Sequence, residues 1–179
     1  MVMHIIEYLY ATMDYWLVLG GEGDVGIGYV DADWASQMDR HSILGYCFHI
    51  GQGAVTWSSK RQSIVALSTT EAEYIAGVHT AKEAKWLCQL FVELQVDCQG
   101  PIVLRCDNQS AITLCKDSKF HACTKHMDIW YHHIREKIAE GHLNVLYIPS
   151  TSNPADILTK PVPCKAHETL ATKLGLQEL

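Results

Sequence analysis

The apolar residues Val25, Ile27, Tyr29 and Val30, interleaved with Gly26 and Gly28 and closed by the polar Asp31, read as a strand. Ser42 to Ile50 and Ala54 to Ser58 read as two more strands, rich in apolar and aromatic residues, and Gly51-Gln52-Gly53 between them marks a turn. Three antiparallel strands in a meander are therefore expected. Ser68-Thr69-Thr70-Glu71 then forms a capping box, with Ser68 as N-cap and Glu71 as its N3 partner. It opens a long helix whose Tyr74, Ile75, Val78, Leu87, Leu90 and Phe91 fit one apolar stripe. Ile102 to Cys106 predicts a fourth strand and Gln109 to Cys115 a short helix. Lys125 to Glu140 predicts a helix with Met127, Trp130, Tyr131, Ile134 and Ile138 inward and Gly141 as its stop. Leu143 to Ile148 predicts the last strand, and Asn153 caps a final helix that Pro154 opens at N1.

The first residues differ. Met1 to Glu22 read as a helix (Ile5, Ile6, Leu9, Tyr10, Met13), an apolar stretch from Tyr15 to Leu19 and a glycine-rich turn, which looks like the tail of a preceding element. A boundary is expected between Gly20 and Asp24, so that residues 1–24 form a connection and residues 25–179 the domain. A length of 179 residues with 48% hydrophobic side chains suits one well-buried domain. No apolar run approaches the roughly 20 residues of a membrane span, and no signal peptide is recognisable at the start, so no membrane partner is expected. Seven cysteines, an odd number without a C-x-x-C pair, read as reduced thiols.

A net charge of −6 lacks the strongly basic balance expected of a domain that holds nucleic acid through phosphate contacts alone, and counts against autonomous tight binding. It is compatible with cutting nucleic acid, because phosphodiester hydrolysis by two hard cations about 3.5–4 Å apart requires clustered carboxylates. Acidic residues at element boundaries are the candidates: Asp31 at the end of the first strand, Glu73 in the first turn of the long helix, Asp107 after the fourth strand and Asp156 at N3 of the last helix. Asp33 competes with Asp31, because residues i and i+2 of a strand point the same way. Glu71 is assigned to the cap. Glu73, two positions on, lies about 200° round the helix from it, so only one of the two faces the sheet.

Four motifs carry a resemblance. They are Gly28-Tyr29-Val30-Asp31-Ala32-Asp33-Trp34-Ala35 with Asp39-Arg40-His41-Ser42 and Gly45-Tyr46; Trp57-Ser58-Ser59-Lys60-Arg61-Gln62 with Ala66-Leu67-Ser68-Thr69-Thr70-Glu71-Ala72-Glu73-Tyr74; Cys106-Asp107-Asn108-Gln109-Ser110-Ala111; and Thr124-Lys125-His126-Met127-Asp128-Ile129 running on through Tyr131 to Glu136 and to Ala155-Asp156-Ile157-Leu158-Thr159-Lys160. In this order and spacing, from Gly28 to about Pro163, the chain resembles the ribonuclease H domain of copia-type long-terminal-repeat retrotransposon polyproteins.

The resemblance implies an α/β ribonuclease H-like fold: a mixed five-stranded sheet, three antiparallel strands then two parallel, flanked by helices. It implies an endonuclease that hydrolyses the RNA strand of RNA–DNA hybrids, with two Mg2+ ions, Mn2+ as a substitute, and Asp31, Glu73, Asp107 and Asp156 as catalytic metal ligands. It favours Asp31 over Asp33, since the family's first ligand follows the apolar strand residues directly. An upstream reverse transcriptase in the same polyprotein is the implied partner, and a virus-like particle in the cytoplasm, or the nucleus, the expected location, not secretion. Lys60, Arg61, Lys125, His126 and Arg135 are candidates for the hybrid's phosphates, and Asn108 and Gln109 for the sugar edge of RNA. Asn108 reads equally as a helix cap, Trp34 and Trp57 as packing residues, and His132 and His133 as helix residues without a metal role. Two departures stand out: no histidine lies between Ile148 and Asn153, and Cys123 and Trp130 replace residues that are often basic or polar. They favour, as an alternative, a decayed or domesticated module that binds nucleic acid or a polyprotein partner without cutting. A strand-transfer enzyme of the same fold, with a different acidic triad, is the remaining alternative.

Overall fold

The computed structural model describes residues 2–21, 23, 25–35, 38–96, 100–116 and 134–178. Its central sheet contains β2 (Val25–Asp33), β3 (Ile43–Ile50), β4 (Gly53–Arg61), β5 (Ile102–Cys106) and β6 (Leu143–Tyr147), in the order β4-β3-β2-β5-β6. The β2-β3 and β3-β4 pairs are antiparallel, as the expected meander requires, and β2-β5 and β5-β6 are parallel, as the resemblance implies. Parallel neighbours need long crossovers, and helices supply them. The crossover from β4 to β5 is α2 (Thr69–Glu93). That from β5 to β6 includes α3 (Gln109–Lys116) and α4 (134–139). The first nine residues of the helix predicted from Lys125 lie outside the described residues.

α2 starts where the capping box places it: Ser68 Oγ accepts from Glu71 N–H at 3.1 Å. The Glu71 carboxylate accepts from Leu67 N–H at 2.7 Å, one residue before the reciprocal cap donor. One face of α2 lies on the sheet through Tyr74, Ile75, Val78, Leu87 and Phe91, against Val30, Leu44, Phe48, Leu104 and Val145. Buried Ala72, Ala76, Ala81 and Ala84 let the helix approach closely. Ile134 of α4, 1% exposed, completes this core, and Gly141, at φ +73°, ends the turn behind it.

The chain after β6 departs from expectation. Asn153 and Pro154 take the predicted cap and N1 positions, but the segment Pro154–Leu158 is a single 3-10 turn. The α-helix proper, α5 (Cys164–Lys173), follows after Pro161 and Pro163, whose rings and missing N–H groups interrupt any continuous helix. Its residue Leu174 packs with Cys47, Ala54, Ile157 and Leu158 on the sheet face opposite α2. Trp57, expected to pack, is 58% exposed on edge strand β4.

The amino-terminal residues form α1 (Val2–Ala11), with no buried residue, and β1 (Tyr15–Leu17). β1 pairs antiparallel with β7 (Leu176–Glu178) in a separate two-stranded sheet. Val18 N–H donates to Gly175 O at 2.8 Å and Gln52 N–H to Gly20 O at 3.0 Å, so this ribbon lies across the β3-β4 turn. Contact there is close enough that a Cβ on Gly53 would stand 2.2 Å from Val18 O. Gly53→Ala is expected to destabilise the chain by about 1–3 kcal/mol, the usual size of an overpacking strain. Urea unfolding checks this, and unchanged stability would mean that the ribbon does not pack here.

Candidate active site

Strand pairing brings two carboxylates level. Val30 of β2 lies beside Cys106 of β5, so the next residues, Asp31 and Asp107, leave the sheet at the same end. Two residues along a strand span about 7 Å. Asp33 shares its strand face with Asp31 but lies beyond the end of β5, and it belongs to neither carboxylate group described below. β2 itself runs on to Asp33, past the predicted end at Asp31.

Glu73 comes from α2. The acidic residue in that helix's first turn is Glu71, so Glu73 sits just beyond it, a correction to the expected position. Its side chain turns inward, 6% exposed, and the Ala32 N–H donates to its carboxylate. Asp156 is delivered by the 3-10 turn. Ligand atoms of Asp31, Asp107 and Asp156 lie within 4.8 Å of one another, as do those of Glu73, Cys106 and Asp107. The two groups share Asp107.

Burial, and then mutual repulsion, disturb these acids. Burial raises the Asp31 carboxyl above its ordinary range, against the lowering effect of the Thr159 hydroxyl and Lys160. Glu73 is raised well above its ordinary value by burial, then by Asp31 and Asp107. Asp156 is pushed up to about 6 by burial and by the Asp31 charge. The Cys106 thiol, buried beside Glu73, is pushed up as well and stays protonated at neutral pH, which leaves the carboxylates as the donors. Asp156 Oδ1 is buried without a hydrogen-bond partner. A crowded set of hard oxygen donors with an orphaned buried oxygen fits a hard divalent cation.

Several neighbours stand in the sequence only as a cap, as motif residues without a role, or as loop residues. Asn153 donates its side-chain N–H to Val30 O at 2.9 Å and accepts from Ala155 N–H at 3.2 Å, tying the Asp156 turn to the strand that carries Asp31. Thr159 Oγ1 donates to Asp31 Oδ2, and Ser150 Oγ to Asp107 Oδ2. Lys160 Nζ is 3.1 Å from Asp156 Oδ2 and 3.6 Å from Asp31 Oδ2. Gly45 lies opposite Asp31 on β3, and a Cβ there would stand 2.6 Å from Thr159 Cγ2 and 2.9 Å from Leu158 Cβ. A glycine is what lets the turn press onto the sheet. Thr159 and Lys160 stand in the fourth motif, and their i+3 and i+4 spacing from Asp156 is a further signal, though one common in helices of no function.

The candidate substrate residues are less converged. Lys60 and Arg61 are exposed at the end of β4, and Arg61 pairs with Asp39. Asn108 Oδ1 accepts from Ala111 N–H at 3.0 Å, the cap of α3, while Gln109 is exposed beside it. Arg135, by contrast, donates through Nε and Nη2 to Leu114 O and braces α3. Lys125, His126, His132, His133, Cys123 and Trp130 lie outside the described residues. A cavity of about 580 Å³ beside Ala84, Cys88 and Val92 lies away from the carboxylates.

The chain is 47% identical over 176 residues to the Retrovirus-related Pol polyprotein from transposon TNT 1-94 of Nicotiana tabacum, covering 98% of this chain and 13% of that protein. It is 37% identical over 174 residues to the corresponding polyprotein of transposon RE1 of Arabidopsis thaliana, covering 96% of this chain and 12% of that one. Among solved structures, LC11-RNase H1 isolated from compost superposes with a TM-score of 0.55 at 18% identity, over 74% of this chain and 91% of that one. This chain is a relative of the copia-type retrotransposon Pol polyproteins and carries the ribonuclease H fold. The amino-terminal RNase H domain of Rv2228c from Mycobacterium tuberculosis also superposes, with a TM-score of 0.50 at 14% identity over 81% of this chain and 96% of that one. No protein-family model matches.

The raised acids make a signed prediction for this ribonuclease H-fold chain. A carboxyl held near 6 when folded and near 3.8 when unfolded contributes stability below about pH 4 that is lost as pH rises through 6. Without divalent ions, Asp156→Asn should be more stable than the parent at pH 8, with the advantage shrinking through pH 6 and gone near 4. Paired thermal melts across that range check the sign and the midpoint.

Proposed function

We propose that the chain hydrolyses the RNA strand of RNA–DNA hybrids during reverse transcription of a retrotransposon. In this reading Asp31, Glu73, Asp107 and Asp156 are the catalytic residues and hold two Mg2+ ions, for which Mn2+ substitutes. The observation that carries the reading is the meeting of four carboxylates from β2, α2, the end of β5 and the Pro154 turn, with a buried oxygen of Asp156 left unpartnered. Ions held there would supply a polarised attacking water and stabilise the leaving oxygen, giving 3′-hydroxyl and 5′-phosphate ends.

The protein's own contribution is positional. Thr159 orients Asp31, Ser150 orients Asp107, and the Ala32 N–H orients Glu73, so that little rearrangement remains at the moment of reaction. Asp107 is the more open of the four, so the hybrid would approach from its side, while Asp31, Glu73 and Asp156 are buried. Lys60 and Arg61 would meet backbone phosphates, and Gln109 the 2′-hydroxyl that separates RNA from DNA. Asn108 is engaged as a cap in the absence of substrate. Lys125 and His126 would contact the hybrid's phosphates in the same reading.

An upstream reverse transcriptase in a longer polyprotein is the proposed partner. It rests on the Pol relatives, of which this chain spans 13% and 12%. A net charge of −6 supports the same idea, since hybrid affinity must then come largely from elsewhere. Residues 1–24 would form the connection, with β1 clasped by β7. Among the described residues no helix is long and apolar enough to cross a membrane.

A labelled RNA–DNA hybrid should be cut in its RNA strand by the purified chain with Mg2+ and left intact in EDTA. Asp31→Asn and Glu73→Gln should each lower the rate on the order of 100- to 1000-fold, the scale for removing one group that stabilises transition-state charge. Asp33→Asn should keep most activity. A folded chain that leaves the hybrid uncut at every concentration would replace this reading with that of a non-catalytic nucleic-acid-binding or partner-binding module.

A further inference from the structure

Lys160 follows Asp156 by four residues, and its backbone N–H donates to Asp156 O at 3.1 Å. The side chain turns back into the carboxylates, with Nζ 3.1 Å from Asp156 Oδ2 and 3.6 Å from Asp31 Oδ2. Both acids belong to the group whose ligand atoms lie within 4.8 Å of one another. The ammonium therefore sits on the oxygens that would coordinate an ion, and an ammonium and a divalent cation cannot both occupy them without strong repulsion. Among the described residues, Lys160 makes the ion pairs recorded at these four carboxylates.

The two sides of this contact differ in freedom. The Asp31 side chain is 2% exposed and that of Asp156 10%, whereas that of Lys160 is 35% exposed. Thr159 and the Lys160 backbone are anchored to the Asp156 turn, so movement is left to the four-carbon stem alone. The acids stay in place while the lysine has a way out.

We propose that the Lys160 ammonium is a tethered stand-in for a divalent cation, occupying the Asp31–Asp156 position in the ion-free protein and leaving toward solvent when the ion binds. It lets the carboxylates pack together before any ion arrives, and it competes with the ion for the same oxygens. This inference rests on the reading of those acids as ion ligands.

Lys160→Met keeps the apolar stem and removes the charge. Titration calorimetry of the full chain with Mg2+ should show binding roughly 3- to 10-fold tighter in the variant, the range for a partly exposed ion pair. Its melting temperature in EDTA should fall below the parent's, and the gap should close in saturating Mg2+. In the unmodified chain, acylation of Lys160 followed by mass spectrometry should be faster in Mg2+ than in EDTA. Parent binding of Mg2+ with no tightening in the variant, or Lys160 labelling that fails to rise with Mg2+, overturns the stand-in role alone. Absence of Mg2+ binding in both proteins overturns the ion-site reading and the stand-in role with it.

Discussion

Repulsion among four carboxylates at one end of a sheet is the constraint around which this fold is arranged. Each acid is taken largely out of water except Asp107, and burial together with the neighbouring charges pushes Asp31, Glu73 and Asp156 above their ordinary ranges. A protein can carry such a cluster only if protons, a basic side chain or bound ions offset it. Here Thr159 and Lys160 do part of that work, and the unpartnered oxygen of Asp156 marks where it is incomplete.

Topology explains how the cluster assembles from distant residues. Parallel pairing of β2 and β5 aligns two strand ends, and the crossover between them is α2, whose first residues return to that same end. The last acid arrives on a tight turn, and two features hold it there. Asn153 bonds to the backbone of Val30, and Gly45 opens room on β3 for Leu158 and Thr159. The site thus depends on a strand, a helix and a turn that are far apart in the chain and share one core.

The kinship with retrotransposon Pol polyproteins agrees with features that sit poorly with a chain standing alone. The chain is acidic, α1 buries none of its residues, and Ile5, Ile6, Leu9 and Met13 are exposed apolar side chains. Hydrophobic surface of this extent is unusual on a lone domain and ordinary where further chain packs. The polyprotein relatives are several times longer than this chain.

Much of this was legible without coordinates. Apolar and aromatic runs bounded by glycine and polar turn residues located β2, β3 and β4, the capping box located the start of α2 to the residue, and Gly141 stopped the helix before β6, because each of these signals is a local preference of the chain. The four acids were legible as candidates because element ends are where strands and helices can present them together. What the sequence could not decide was distance. Asp31 and Asp33 point the same way, and only the register of β2 against β5 sets Asp31 level with Asp107. Asn153 read as a cap, and its bond to Val30 appears only when residues 123 positions apart are brought into contact. Lys160 stood in the fourth motif without a role, and it became part of the site because folding buried two acids beside its ammonium. Local propensity determined the elements, whereas burial and long-range pairing, which no short window of sequence contains, decided which side chains meet.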